Sequence, residues 1–327
     1  MKFGVLQFFS WPGRRFALRE VYERALQRIE VMDQTGYDAV WLAEHHFNDF
    51  SVCPSVHVMA AHVAARTQRL RIGTGVTLAA LYQPVRIAEE IALIDMLSGG
   101  RVNWGAGRGF DATEFRAFGV TAADSGPRFH EAVDVVLKSW RNEKLDHRGE
   151  YYHYEDLEVL PKPLQQPHPP VWLAASSPPS VEWAAKRGFS IMMDPHSPHA
   201  EIGRKRRLYR EVLEANGHAF EGREIPMARL LAVAKTEREA YEIARKGAGW
   251  TVEAYIGGLG HVFDESAKDV DPVERYMKDV VVYGTPESVI DQLQRLEDEI
   301  SLDYLLCSTL SHETFELMTE RVIPKLL

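Results

Sequence analysis

The sequence predicts an α/β fold, a (β/α)8 TIM barrel with an insertion, from three observations. Short, continuously apolar runs alternate with longer amphipathic ones along the 327 residues. The apolar runs lack the in–out alternation of a half-exposed sheet, as expected for parallel strands covered on both faces. There are eight of them, in a chain of a length that α/β barrels commonly reach.

The strand candidates are residues 2–8, 39–43, 71–78, 102–107, 171–175, 190–194, 227–234 and 304–308. Between them, residues 18–35 carry Val21, Ala25, Leu26, Ile29 and Met32 at helical spacing, and Gly36 follows as a stop signal. Pro84 opens a second helix with Ile87, Ile91, Ile94 and Leu97 on one stripe. Residues 130–140 and 206–215 repeat the pattern. Thr285-Pro286-Glu287 is a helix start: threonine caps, proline takes the first helical position, and glutamate favours the dipole. Eight strands alternating with helices suit either a closed barrel or a long doubly wound sheet; the count and the length lean toward the barrel. The chain reads as one domain over residues 1–327. Residues 145–170, rich in Tyr, His and Pro, read as an excursion, and the glycine-rich then charged residues 257–279 as a mobile loop at the barrel mouth.

Composition narrows the function. With 45% apolar and 26% charged residues the chain is globular. A net charge of −9 disfavours nucleic acid or an anionic membrane as partner. Two cysteines, Cys53 and Cys307, make no disulfide scaffold and suit a reducing, cytoplasmic setting. No apolar stretch approaches the roughly 20 residues of a membrane span.

Three turns carry candidate chemistry. The second strand ends in Glu44-His45-His46-Phe47, and barrel enzymes take reacting groups from strand C-termini. Adjacent histidines project to opposite sides of the chain, so one can face a pocket and move protons near neutral pH. Local hydrogen bonding is the plainer reading. Metal ligation by Glu44, His45 and His46 is the weakest, because neighbours in sequence seldom point at one ion. After the fourth strand, Gly105-Ala106-Gly107-Arg108-Gly109-Phe110 combines glycines that admit a flat ligand with a guanidinium suited to phosphate. Its spacing is not the dinucleotide G-x-G-x-x-G, and tight strand packing alone also accounts for the glycines. After the fifth strand, Ser176-Ser177-Pro178-Pro179-Ser180 reads as a capped helix start. The two prolines remove two N–H donors, so the hydroxyls would have to compensate if the turn held phosphate.

Taken in order, Met1-Lys2-Phe3-Gly4 and the segments VWLAEHHF, RIGTGV, PVR–ALIDMLSGGR, GAGRGF and EWAAKRG resemble the luciferase-like flavin monooxygenase family, bacterial luciferase α chains included. The resemblance runs from residue 1 to about residue 190 and returns at GTPESVID–LQ. It implies a (β/α)8 barrel that binds reduced FMN, whose C4a-peroxyflavin oxidises a small organic substrate. It implies His45 as the pocket histidine and Arg108 as the phosphate-binding arginine. Ser176, Ser177 and Ser180 match the phosphate turn. Thr74, Gly75, Val76, Gly107 and Gly109 complete the implied cofactor contacts, with a non-proline cis peptide at Gly75–Val76. It further implies a separate flavin reductase and a homodimer. Two departures stand out: Gly107 occupies the place of a reactive cysteine, and Ser176 that of an acidic residue. A relative using deazaflavin F420 for hydride transfer, a non-catalytic flavin-binding protein and a metal-dependent barrel hydrolase are the rival readings.

Overall fold

The computed structural model describes residues 1–254 and 271–327. The chain begins β1 (Lys2–Gln7), α1 (Leu18–Gln34), β2 (Ala39–Leu42), α2 (Val56–Arg66), β3 (Arg71–Thr74) and β4 (Thr77–Leu78). There follow α3 (Pro84–Ser98), β5 (Val102–Gly107), α4 (Ala112–Ala117), α5 (Ala122–Arg141), β6 (Leu145–Arg148), β7 (His153–Leu157) and β8 (Val171–Ala174). The remainder is α6 (Pro178–Lys186), β9 (Ser190–Met192), α7 (His199–Ala215), β10 (Pro226–Val233), α8 (Glu237–Ala254), α9 (Pro272–Val280), β11 (Val282–Gly284), α10 (Pro286–Ile300), β12 (Tyr304–Thr309), α11 (His312–Leu317) and α12 (Ile323–Leu326).

The elements gather into two compact units. One comprises residues 7–34 and 39–174; the other comprises residues 1–6, 35–38 and 175–327. In the first, β2, β3, β5 and β8 pair in that order, all parallel, and β4 also pairs with β5. In the second, β11, β10, β12 and β1 form a parallel sheet. Each unit is thus an α/β structure on its own parallel sheet, and the eight-stranded closure expected from the sequence is a property of neither unit alone.

The local signals explain most elements. Thr285 caps α10 through the Ser288 N–H, with Pro286 in the first helical position. Ser177 caps α6 with Pro178 behind it. Each of the eight expected strands has a counterpart, because β1, β2, β5 and β10 are buried nearly throughout and only an apolar run tolerates that. Four expectations shift. The 71–78 run is two strands broken at Gly75–Val76. The helix expected at 130–140 starts at Ala122, capped by Thr121, and tolerates Pro127 in its interior. Part of the 145–170 excursion is an antiparallel hairpin of β6 and β7. Of the loop expected at 257–279, residues 257–270 lie outside the described residues, and Pro272–Val280 is a helix capped by Asp271. β11 is only three residues long, too short to stand out as an apolar run.

Candidate functional site

The residues that follow β2 build the most chemically loaded corner of the first unit. The strand ends at Leu42, and Glu44, His45, Ser51 and Cys53 are all buried beyond it. The two adjacent histidines go separate ways, as extended backbone requires. Nδ1 of His45 lies 3.5 Å from Glu114 Oε1. His46 turns its Nε2 to Glu44 Oε1 at 3.1 Å and packs its ring edge-on to Phe118. Glu114 also accepts the His46 backbone N–H at 2.9 Å. One carboxylate therefore fixes the chain at His46 and faces the imidazole of His45.

Aromatic rings enclose His45. Phe8 stacks at 6.2 Å between centroids, while Phe50 and Phe110 present edges at 5.4 and 6.0 Å. Phe9 and Trp41 are fully buried, and Trp41 meets Trp172 edge-on. Phe110 is exposed and Phe8 and Trp11 only partly buried. Of the three rings beside the imidazole, Phe8 and Phe110 therefore remain accessible, while Phe50 is buried.

Behind His46 runs a second set of polar contacts. Tyr82 donates to Glu44 Oε1 at 2.8 Å. Burial, and then the Glu44 charge, raise the Tyr82 phenol above its ordinary pKa, so it stays a donor. Glu44 Oε2 has no hydrogen-bond partner among the described residues. Burial, with Glu44 nearby, pushes the Cys53 thiol up to about 12, which leaves it protonated and unreactive at neutral pH. His57 bridges Glu90 at 2.7 Å and Thr77 at 3.0 Å. Among the described residues no three His, Cys, Asp or Glu side chains gather as a metal site.

The glycine turn lies in the same unit. Gly105 and Gly107 are in β5, and Gly109 follows with φ of +84°. Arg108 is exposed and makes no hydrogen bond or ion pair with the described residues. A guanidinium beside glycines and uncommitted to any protein carboxylate fits a phosphate ligand. The Gly75–Val76 peptide is cis. The Thr74 hydroxyl is already committed: it donates to the Gly105 carbonyl at 2.7 Å and accepts the Gly105 N–H at 2.9 Å. A Cβ on Gly107 would come within 2.5 Å of the Val76 side chain. A side chain at 107 and Val76 therefore exclude one another, which accounts physically for glycine at this position.

The serine turn belongs to the other unit. Ser177 and Ser180 form a reciprocal capping box at the start of α6. Ser180 Oγ also donates to the Ser177 carbonyl at 2.7 Å. Ser176 and Ser177 are exposed. Plain capping accounts for these hydrogen bonds, and exposure leaves the hydroxyls accessible to a ligand as well.

Sequence reasoning missed Glu114, Tyr82 and the His57–Glu90 pair. Glu114 sits three residues after Asp111, which caps α4. That spacing reads as an ordinary helix start and hides the carboxylate's second role.

Comparison with known proteins bears on the chain as a whole. The family model described as luciferase-like monooxygenase matches residues 1–300. The oxygenase component of a flavin-dependent trigonelline monooxygenase from Acinetobacter baylyi is 28% identical over 346 residues, covering 100% of this chain and 95% of that protein. An alkanal monooxygenase alpha chain from the Kryptophanaron alfredi symbiont is 25% identical, over 94% of this chain and 90% of its own. Among solved structures, monooxygenase RslO1 from Streptomyces bottropensis shares 28% identity at a TM-score of 0.85, with 100% of each chain covered.

Proposed function

The chain belongs to the luciferase-like monooxygenase family, and from that premise we propose that it is the oxygenase component of a two-component system using reduced FMN and O2. The observation that carries the reading is the His45–Glu114 pair inside a partly accessible aromatic cage. It lies in the unit whose glycine turn presents the uncommitted Arg108. When bound, reduced FMN would supply the electrons that activate O2 for transfer of one oxygen atom to a small organic substrate.

The protein's own groups have definable tasks in this reading. Arg108 holds the flavin phosphate as a fork of donors. Gly109 lets the backbone approach the cofactor, and Thr74, Gly75, Val76 and Gly107 line it. The exposed hydroxyls of Ser176 and Ser177, with Ser180, are proposed as ligand contacts of the second unit. His45 takes and returns a proton through its imidazole, oriented by Glu114. Phe8, Phe50 and Phe110 exclude water around the imidazole, and dryness strengthens each charge interaction there. The (β/α)8 barrel remains the architecture this reading expects.

A separate reductase is part of the proposal, supported by the relative that is itself an oxygenase component. A homodimer is also proposed. Its support is apolar exposure on neighbouring helices: Val58 on α2 and Leu93, Met96 and Leu97 on α3. No described helix is long and apolar enough to cross a membrane.

The test is anaerobic titration with reduced FMN and, in parallel, reduced F420, followed by O2. The reading expects reduced FMN to bind and its reoxidation to be slowed well below that of free flavin. Preference for F420, or reoxidation at the free rate, would defeat it.

A further inference from the structure

The second unit holds a charge that the reading above does not use. Arg229 lies in β10, whose eight residues are all buried, and is itself 1% exposed. Leu230 and Ala232 pack into the apolar cluster formed with Ala244 and Ala248 of α8 and Tyr276, Met277 and Val280 of α9. Strand alternation puts Arg229 on the opposite face of β10 from Leu230 and Ala232.

Its hydrogen bonding is incomplete. Nη1 donates to the Ala228 carbonyl at 2.8 Å and to the Asp194 carbonyl at 3.4 Å. Nε and Nη2 meet no acceptor among the described residues. A guanidinium keeps its proton under ordinary conditions, so leaving three of its five N–H donors, one on Nε and two on Nη2, buried and unmet is costly. The nearby carboxylate of Asp194 is already taken. Its Oδ2 accepts from Lys205 at 3.1 Å and from the Ser197 hydroxyl at 2.9 Å, and its Oδ1 from the backbone N–H groups of His196 and Ser197.

The surroundings favour an incoming anion. His199 opens α7, so the positive end of that helix dipole lies beside it. Burial, and then the Arg229 charge, push the His199 imidazole down to about 3, so it is neutral at physiological pH. Its Nδ1 has no hydrogen-bond partner among the described residues. Nε and Nη2 form one edge of the guanidinium fork, the edge that matches two oxygens of a carboxylate.

We propose that Arg229, through its Nε and Nη2 edge, binds the carboxylate of an anionic organic substrate. The word substrate rests on the oxygenase reading; the anion site does not. Phosphate on the flavin is the other source of a matching oxyanion, and the experiment separates the two.

Purified full-length protein is heated with benzoate or hexanoate, and with benzamide or hexanamide at equal concentration. The acids should raise the melting temperature by about 2–4 °C, and the amides should not. Arg229→Gln should abolish the acid response, and Arg229→Lys, which keeps the charge without the fork, should retain part of it. Equal responses to acid and amide, or an acid response that survives Arg229→Gln, overturn the proposal. If Arg229→Gln does not fold, the acid–amide contrast in the wild type and its reduction in Arg229→Lys decide instead. FMN and riboflavin affinities are measured on the same variants. A selective loss of FMN affinity assigns the guanidinium to flavin phosphate and also overturns the proposal. A wild type that binds no reduced FMN defeats the oxygenase reading, whereas the acid–amide contrast still judges Arg229.

Discussion

Glu114 Oε1 stands 3.5 Å from Nδ1 of His45 while accepting the backbone N–H of His46 at 2.9 Å. The carboxylate is 1% exposed, so both contacts operate away from bulk water. They are separable by mutation. Glu114→Gln keeps an oxygen for the His46 N–H but removes the charge facing the imidazole. We expect it to fold normally, bind FMN with unchanged affinity and lose about tenfold or more in oxygenation rate. Glu114→Ala should in addition lose about 1–3 kcal/mol of stability, because a buried N–H is left unmet. Chemical denaturation and oxygen-uptake assays on both variants would distinguish the roles, and a fully active Glu114→Gln would remove the charge from the mechanism.

His45 and Arg108 are expected to fail differently. His45→Ala should retain FMN binding and lose about 10²–10⁴ in rate, the range for a general acid–base group. Arg108→Ala should weaken FMN and leave riboflavin affinity unchanged, since only FMN carries the phosphate. Flavin titration by fluorescence quenching, set beside turnover, checks both. Equal weakening of FMN and riboflavin would place Arg108 away from the phosphate.

Gly73 tests packing in the first unit. It pairs with Trp41 in the β2–β3 register, and a Cβ at 73 would run into the Trp41 ring. Trp41 is fully buried, so the ring has nowhere to move. Gly73→Ala should cost about 1–3 kcal/mol through overpacking. An unchanged denaturation midpoint would mean that the ring shifts without penalty.

His199 sets a pH dependence. Its pKa falls from an ordinary 6.5 to about 3 in the folded chain. Between those values the unfolded chain binds a proton that the native chain refuses, so stability is complete above about pH 6.5 and declines as pH drops toward 3. Asp194, depressed below its ordinary 3.8 chiefly by Lys205 and Arg229 against the opposing effect of burial, loses its contribution only at lower pH. His199→Gln should therefore flatten the melting-temperature profile between pH 7 and 5. A slope identical to wild type would show that another group is responsible.

Much of this was legible in residue order, for local reasons. Thr285-Pro286 and Ser177-Pro178 mark helix starts because a cap and a fixed φ act within one turn. Buried parallel strands must be apolar along their length, so β1, β5 and β10 show as runs. His45 and Arg108 follow the ends of β2 and β5, where an apolar run gives way to polar residues, and that change is what marked them as candidates.

Pairing across the fold was not legible. Glu114 lies 69 residues beyond His45 in the chain, and Asp194 lies 35 before Arg229; nothing local to any of them announces its partner. The sequence by itself determined the α/β class, the apolar strands, the capped starts of α6 and α10 and the family. Tertiary structure alone decided which carboxylate faces the imidazole, that Val76 fills the space a side chain at 107 would need, and that a guanidinium is buried with three of its five N–H donors unmet. The physical reason is range: propensity and capping act over a few residues, whereas burial, charge pairing and steric exclusion depend on which distant segments the fold packs together.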